Sequence, residues 1–159
     1  MKIALIVIGL MLLLLTVKGA FNRIVLMSDV EGVVLKDGVP VEGAEVVQQI
    51  SLDEPNDVPE TIARTDAQGK FDFLRVTKGP GIRRLIPVEP SVLQRILIRY
   101  KGVEYEAWRH SKHSYEPDSE LNEYPVQGRK GPLKLVCELS NKPDFEGNHY
   151  GVCKLAAEQ

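Results

Sequence analysis

The 159-residue chain has no excess of basic charge, no Cys-x-x-Cys pair, no internal repeat and no low-complexity tract. Its formal net charge is −2. A nucleic-acid binder normally carries a concentrated basic face, so that balance argues against a phosphate-backbone partner. Two isolated cysteines, Cys137 and Cys153, leave no thioredoxin-like redox motif. The glycines at Gly32, Gly38 and Gly43 have the wrong spacing for a dinucleotide or phosphate loop, and a strand pattern follows them where a helix would be needed. Beyond residue 20 no segment has helical periodicity. What remains is an ordinary globular composition, 43% hydrophobic and 26% charged, long enough for one domain with a real core.

The amino terminus stands apart. Lys2 precedes thirteen uncharged residues, Ile3 to Leu15, and then come Thr16, Val17, Lys18, Gly19 and Ala20. A basic start, a short apolar run and small residues describe a secretory signal peptide, with cleavage after Gly19. The run is short for a spanning helix, which needs roughly 17–25 apolar residues. The competing reading of residues 1–19 is an uncleaved membrane anchor. Both place the rest of the chain in the periplasm or otherwise outside the cytoplasm. Cleavage would remove Lys2 and Lys18, leaving 18 basic and 22 acidic residues and a formal charge of −4. In that compartment a Cys137–Cys153 disulfide can form and persist; the alternative is two reduced thiols. Closing fifteen intervening residues is worth about 3 kcal/mol.

The remaining chain reads as short strands separated by turns. Val30 to Leu35 runs into Lys36-Asp37-Gly38, a strong tight-turn signal, and "AEVVQQI" follows a second turn at Pro40 and Gly43. "TIARTDAQGKFDFLRV" predicts a hairpin turning at Asp66–Gly69, with Phe71 and Phe73 alternating with Lys70 and Asp72. In "RILIRYKGVEYEAW", Ile96, Ile98 and Tyr100 alternate with Leu97 and Arg99. Beyond the Lys101-Gly102 turn, Val103, Tyr105 and Ala107 alternate with Glu104, Glu106 and Trp108. Strict alternation puts Tyr105 on the core side and Trp108 on the other. Residues 109–131 read as a long polar loop. Leu133, Leu135, Cys137 and Leu139 share one face, the expected core side, ahead of an irregular tail that Cys153 ties back. About seven strands with turns between them imply an all-β, antiparallel sandwich.

"GVVLKDGVPVEGAEV" followed by "ARTDAQGKFDF" resembles the carboxypeptidase regulatory-like domain, a seven-stranded prealbumin-like (transthyretin-like) sandwich. The resemblance rests on Gly32, Pro40, Gly43-Ala44, and a hairpin with Thr65, Asp66, Gly69 and Phe71. It is close over about residues 29–76 and is extended here to a domain over residues 28–157. The later "KGVEYEAW" and "LVCELSNKP…GVC" are similar to small bacterial exported proteins with a two-cysteine tail. The resemblance implies an accessory or binding module without catalysis or cofactor. Catalytic neighbours on such a scaffold, the intradiol dioxygenases, need paired Tyr and His iron ligands, and no such set can be assigned.

Candidate contacts therefore lie in the loops. Arg83 and Arg84 beside Ile82, Leu85 and Ile86 form an arginine-plus-aliphatic patch suited to a protein contact, or a loop packed over the sandwich end. Trp108 and Tyr115 could anchor a protein or stack on a sugar. His110 and His113, with Glu116, Asp118 and Glu120 beyond, make the one histidine cluster. A zinc site needs three or four converging ligands, so two histidines in a polar loop read as solvated and no metal is assigned. A Ser111–His113–Asp118 triad would need convergence from a rigid scaffold. Asp53, Glu54, Asp57 and Glu60 lack the alternating ligands and central glycine of a calcium loop. The expected function is a non-enzymatic, exported protein-binding module. One version is an immunity or inhibitor protein that neutralises a toxin or enzyme of the cell envelope through residues 77–91 and 109–131. The alternative is carbohydrate or envelope-polymer binding through Trp108 and Tyr115. The membrane would be a partner only through an uncleaved amino-terminal segment.

Overall fold

Residues 23–52, 58–79, 90–122 and 130–156 are described by the computed structural model of the chain. The strands are β1 (Ile24–Met27), β2 (Val30–Lys36), β3 (Val39–Pro40), β4 (Glu45–Ser51), β5 (Thr61–Arg64), β6 (Lys70–Phe73), β7 (Val76–Lys78), β8 (Val92–Tyr100), β9 (Val103–Lys112), β10 (Leu133–Glu138), β11 (Asp144–Glu146), β12 (His149–Gly151) and β13 (Cys153–Leu155). The described chain is thus all-β and sandwich-like. It has thirteen short strands, not seven, and the amino-terminal segment lies outside the described residues.

Two sheets face each other. One has the order β11-β12-β9-β8-β4-β5; the other runs β13-β10-β2-β3, with β6 also paired to β2. A small β1–β7 ladder closes one end. The pairing is not wholly antiparallel: β10 lies parallel to β2, from Leu133 opposite Val30 to Glu138 opposite Leu35. The core collects the inward residues of both sheets, among them Val30, Val34, Phe71, Phe73, Leu133, Leu135 and Cys137 from one, and Val46, Ile50, Ile96, Ile98 and Trp108 from the other. The expected core face of β10 is therefore present.

Local turn chemistry explains the order. Asp37 and Gly38 adopt φ of 53° and 76°, as a tight hairpin turn requires, and Glu138 accepts both of their backbone N–H groups. The Asp66–Gly69 turn also forms: Gly69 N–H donates to Asp66 O at 2.9 Å and the Asp66 carboxylate accepts from Gln68 and Lys70. The strands it joins are not a hairpin, however. β5 pairs with β4 and β6 with β2, so the turn carries the chain from one sheet to the other. Alternation alone cannot distinguish a hairpin from such a corner, because both need the same turn residues and the same period.

The tail differs from its expected irregularity. It folds into β11 and β12 on the six-stranded sheet, then crosses at Val152 to β13 on the other sheet. There Cys153 stands opposite Cys137 and the two form a disulfide. The bond thus fastens a segment that contributes strands to both sheets.

Candidate functional site

β9 carries the residues on which the site depends, and a single irregularity decides where they point. Leu97 of β8 faces Glu106, whereas Ile96 faces Trp108, so Ala107 is an extra residue, a β-bulge. A bulge puts two residues of one strand against one of its neighbour and reverses the phase of alternation beyond it. Trp108 therefore turns into the core, only 1% exposed, in place of the outward position that strict alternation assigns. His110 and Lys112 follow it inward, while Arg109 and Ser111 face solvent. Gly151 belongs to the same device. A Cβ there would collide with the Ala107 carbonyl, so only glycine lets β12 approach the bulge. The signal in the sequence was the adjacent pair Ala107-Trp108, which breaks the polar–apolar rhythm of residues 103–106.

Past the bulge the inner face is polar and paired. Lys112 and Glu120 form an ion pair at 3.2 Å with both side chains fully buried. Glu120 Oε1 also accepts from Ser28 N–H at 3.0 Å and from Gln94 Nε2 at 2.7 Å, and Oε2 accepts from Ser28 Oγ at 2.8 Å. Gln94 Nε2 donates again to Leu26 O, and Ser28 Oγ accepts from Asp118 N–H. Burial opposes ionisation of Glu120, but the Lys112 charge and these hydrogen bonds outweigh it and hold the carboxyl below the usual range. Burial is also the largest influence on Lys112 and lowers its pKa, against the attraction of Glu120. The cluster clasps the 113–122 segment, with its short 3-10 helix at Ser119–Leu121, onto β1 and β8. Thus β9 runs to Lys112, and the segment expected as a loop from residue 109 starts at His113.

Nearer the bulge, His149 of β12 stacks on Trp108 with ring centroids 4.0 Å apart, and His110 lies directly across from His149. Burial is the main reason that His149 has its pKa lowered to about 4. His110 places Nδ1 3.2 Å from Asn148 O. This is an aromatic and imidazole core layer.

The outer face of the same strands bears a different row. Arg109, Tyr150 and Phe145 stand opposite one another across β9, β12 and β11. The Arg109 guanidinium lies over the Tyr150 ring, 5.0 Å from its centroid, and Phe145 is tilted against Tyr150 at 4.9 Å. Phe145 is 68% exposed. Among the described residues no carboxylate pairs with Arg109, whereas its neighbour Arg95 is held by Glu106 at 2.7 Å. Arginine and aromatic side chains held rigidly at a strand edge are the composition of interface anchors.

The anticipated residues are dispersed. Trp108 and His110 are core, so Trp108 offers no ring face to a sugar. His113 is exposed, Nδ1 3.3 Å from Pro90 O, and shares a cleft with half-buried Tyr115, whose carbonyl accepts Val25 N–H. His110 and His113 therefore have opposite surroundings, and no group of three metal-ligating side chains occurs among the described residues. Asp118 has its backbone bonded to Ser28 and lies 3.5 Å from Arg75. Arg83, Arg84, Asp53, Glu54 and Asp57 lie outside the described residues. Phe145, Tyr150 and Arg109 were not anticipated. Their proximity depends on pairing between strands about forty residues apart, and the local cue was two aromatics, Phe145 and Tyr150, in a largely polar tail.

Comparison with known proteins decides one point. Residues 30–142 match the model of a domain of unknown function (DUF6795). The chain belongs to that family. Over 102 residues it is also 33% identical to human immunoglobulin superfamily member 8, an alignment covering 60% of this chain and spanning about 15% of that protein's length. No solved structure matches the chain. The disulfide is compatible with an extracytoplasmic location for this DUF6795 member.

Proposed function

We propose that this DUF6795 domain is a non-enzymatic, exported protein-binding module whose contact surface is the Arg109–Tyr150–Phe145 row. The exposed row carries the reading. An aromatic ring left 68% exposed at the middle of an edge strand, backed by a second ring and by a guanidinium that no carboxylate pairs among the described residues, is exposed anchor surface of the kind a partner covers. The rigid β-ribbon beneath it, fastened through β13 by the disulfide, limits the entropy lost on binding. Export, by a cleaved signal or a retained anchor, is supported by the apolar run Ile3–Leu15 and by the same disulfide. An immunity or inhibitor protein, covering a toxin or enzyme of the cell envelope, is the concrete form we favour. The carboxypeptidase regulatory-like resemblance is part of this proposal and rests on the residues Gly32, Pro40, Gly43-Ala44, Thr65, Asp66, Gly69 and Phe71.

A photo-crosslinking residue at position 145, expressed in the native host, tests it. The expected result is a discrete adduct with one envelope protein, abolished by Arg109→Ala. No adduct, or one indifferent to Arg109, removes the row as the contact surface.

A further inference from the structure

We infer that the free edge of β5 is a self-pairing surface, through which a second copy of this chain joins the six-stranded sheet across a two-fold axis at Ile62. β5 is the last strand of that sheet, and its outer edge is unpaired among the described residues. Thr65 N–H donates to Ala44 O, and β5 runs antiparallel to β4 in the register that makes Thr65 the partner of Ala44. Bonded positions alternate along an antiparallel ladder. Ala63 and Thr61 thus use their backbone groups toward β4, and Ile62 and Arg64 direct theirs outward.

Outward groups can meet only outward groups, which restricts the register. Centring two antiparallel copies on Ile62 satisfies this condition. Ile62 then faces Ile62 of the second copy, and Glu60 faces Arg64 of the second copy on both sides. The central pair is apolar and 55% exposed in the single chain. The flanking pairs are opposite charges, which are favourable when directly across in a sheet. Glu60 already lies in line with the strand, accepting from Gln49 Nε2 at 2.6 Å. Ile62 stands beside Val47 and Leu97 in one row across the sheet; those two are buried, so Ile62 is the exposed end of that row at which a second copy would join.

The opposite edge of the same sheet provides the contrast. β11 centred on Phe145 would place Asp144 against Glu146 of a second copy, like charges on both sides. Such charges block edge pairing. Of the two edges, one is complementary to itself and the other repels itself. A four-residue strand gives a small interface, so the dimer is expected to be weak.

Sedimentation equilibrium of the full chain, in detergent where the apolar amino-terminal run is retained, tests the inference. The expected result is a reversible monomer–dimer equilibrium. Ile62→Pro removes an outward N–H that bonds nothing among the described residues, so it should weaken the dimer by at least tenfold with unchanged circular dichroism. Glu60→Arg should do the same, and Glu60→Arg combined with Arg64→Glu should restore association. A wild type that stays monomeric to about 1 mM overturns the inference, since a weaker contact is not specific. So does a dimer indifferent to Ile62→Pro, or one that the double charge exchange fails to restore.

Discussion

The two faces of β9 beyond its bulge have opposite characters. The inner face holds Trp108, His110 and Lys112, all buried, with Lys112 fixed by Glu120 and Trp108 covered by His149. The outer face offers Arg109 to solvent, backed by Tyr150 and Phe145. Both faces are polar and aromatic in sequence, and residues of the two kinds alternate one by one. Their difference lies in desolvation. On the inner face each charge requires a partner before it can be buried. On the outer face water serves as the partner, and the groups stay available for another surface. The inner face should therefore govern stability, and the outer face recognition.

The largest effect should come from breaking the inner pair. Glu120→Leu leaves the Lys112 ammonium buried without its carboxylate, and a loss of about 3–5 kcal/mol is expected in urea unfolding. Replacing both, Lys112→Met with Glu120→Leu, should recover most of that loss, because no lone charge remains. A double variant as unstable as the single one would show that the hydrogen bonds of Ser28 and Gln94, and not the charge pair, hold the segment. Next is the disulfide. Replacing Cys137 and Cys153 by alanine should cost about 3 kcal/mol, and more rapid amide exchange should appear in β12 and β13 before the other strands.

Protonation probes the same face. His149 is neutral in the fold, with a pKa of about 4, while an unfolded histidine titrates near 6.5. Its folded pKa is depressed, so the unfolded chain binds the proton first. Stability is complete above about pH 6.5, declines as pH falls toward 4, and has lost about 3 kcal/mol there. Glu120 acts in a lower window. Its contribution is present above an ordinary carboxyl pKa of about 4.3 and is lost as pH falls through its own depressed value. His149→Phe should flatten the profile between pH 6.5 and 4 and leave the steeper decline below it. An unchanged slope would mean that His149 is hydrated in the fold.

The extent to which the sequence revealed this can be traced residue by residue. Turn residues and period-two runs sufficed for the all-β class, the β8–β9 hairpin, the β10 core face and the single possible disulfide. Each of these is local or has only one solution. Positions that depend on long-range pairing were hidden. The 61–73 segment has hairpin chemistry but joins two sheets, because partner choice is set by β4 and β2 and not by the turn. Trp108 was assigned to the wrong face because one inserted residue, Ala107, reverses the alternation after it. Reading residues 109–131 as a loop hid Lys112 as a buried cation and made His110 and His113 look like neighbours, whereas β9 runs to Lys112. Arg109, Tyr150 and Phe145 come together only when the tail pairs with β9.

The smallest expected effect on stability falls on the outer face, and there the contrast is sharpest. Phe145→Ala removes an exposed ring from an edge strand, so the unfolding free energy should change by less than about 0.5 kcal/mol. Arg109→Ala should cost no more than about 1 kcal/mol, since an exposed cation over one ring contributes about 0.5–1 kcal/mol. If the row is a recognition surface, the same two changes should cost a partner at least tenfold in affinity, because anchor residues at the centre of an interface typically contribute 2 kcal/mol or more. The reverse should hold for Glu120→Leu: at a temperature where it is still folded, partner affinity should be nearly unchanged. A Phe145→Ala protein that unfolds easily and binds normally would assign the ring to packing of the β11–β12 ribbon. It would also move the search for a contact surface to the cleft beside His113 and Tyr115, which opens just past the carboxy-terminal end of β9 against β1.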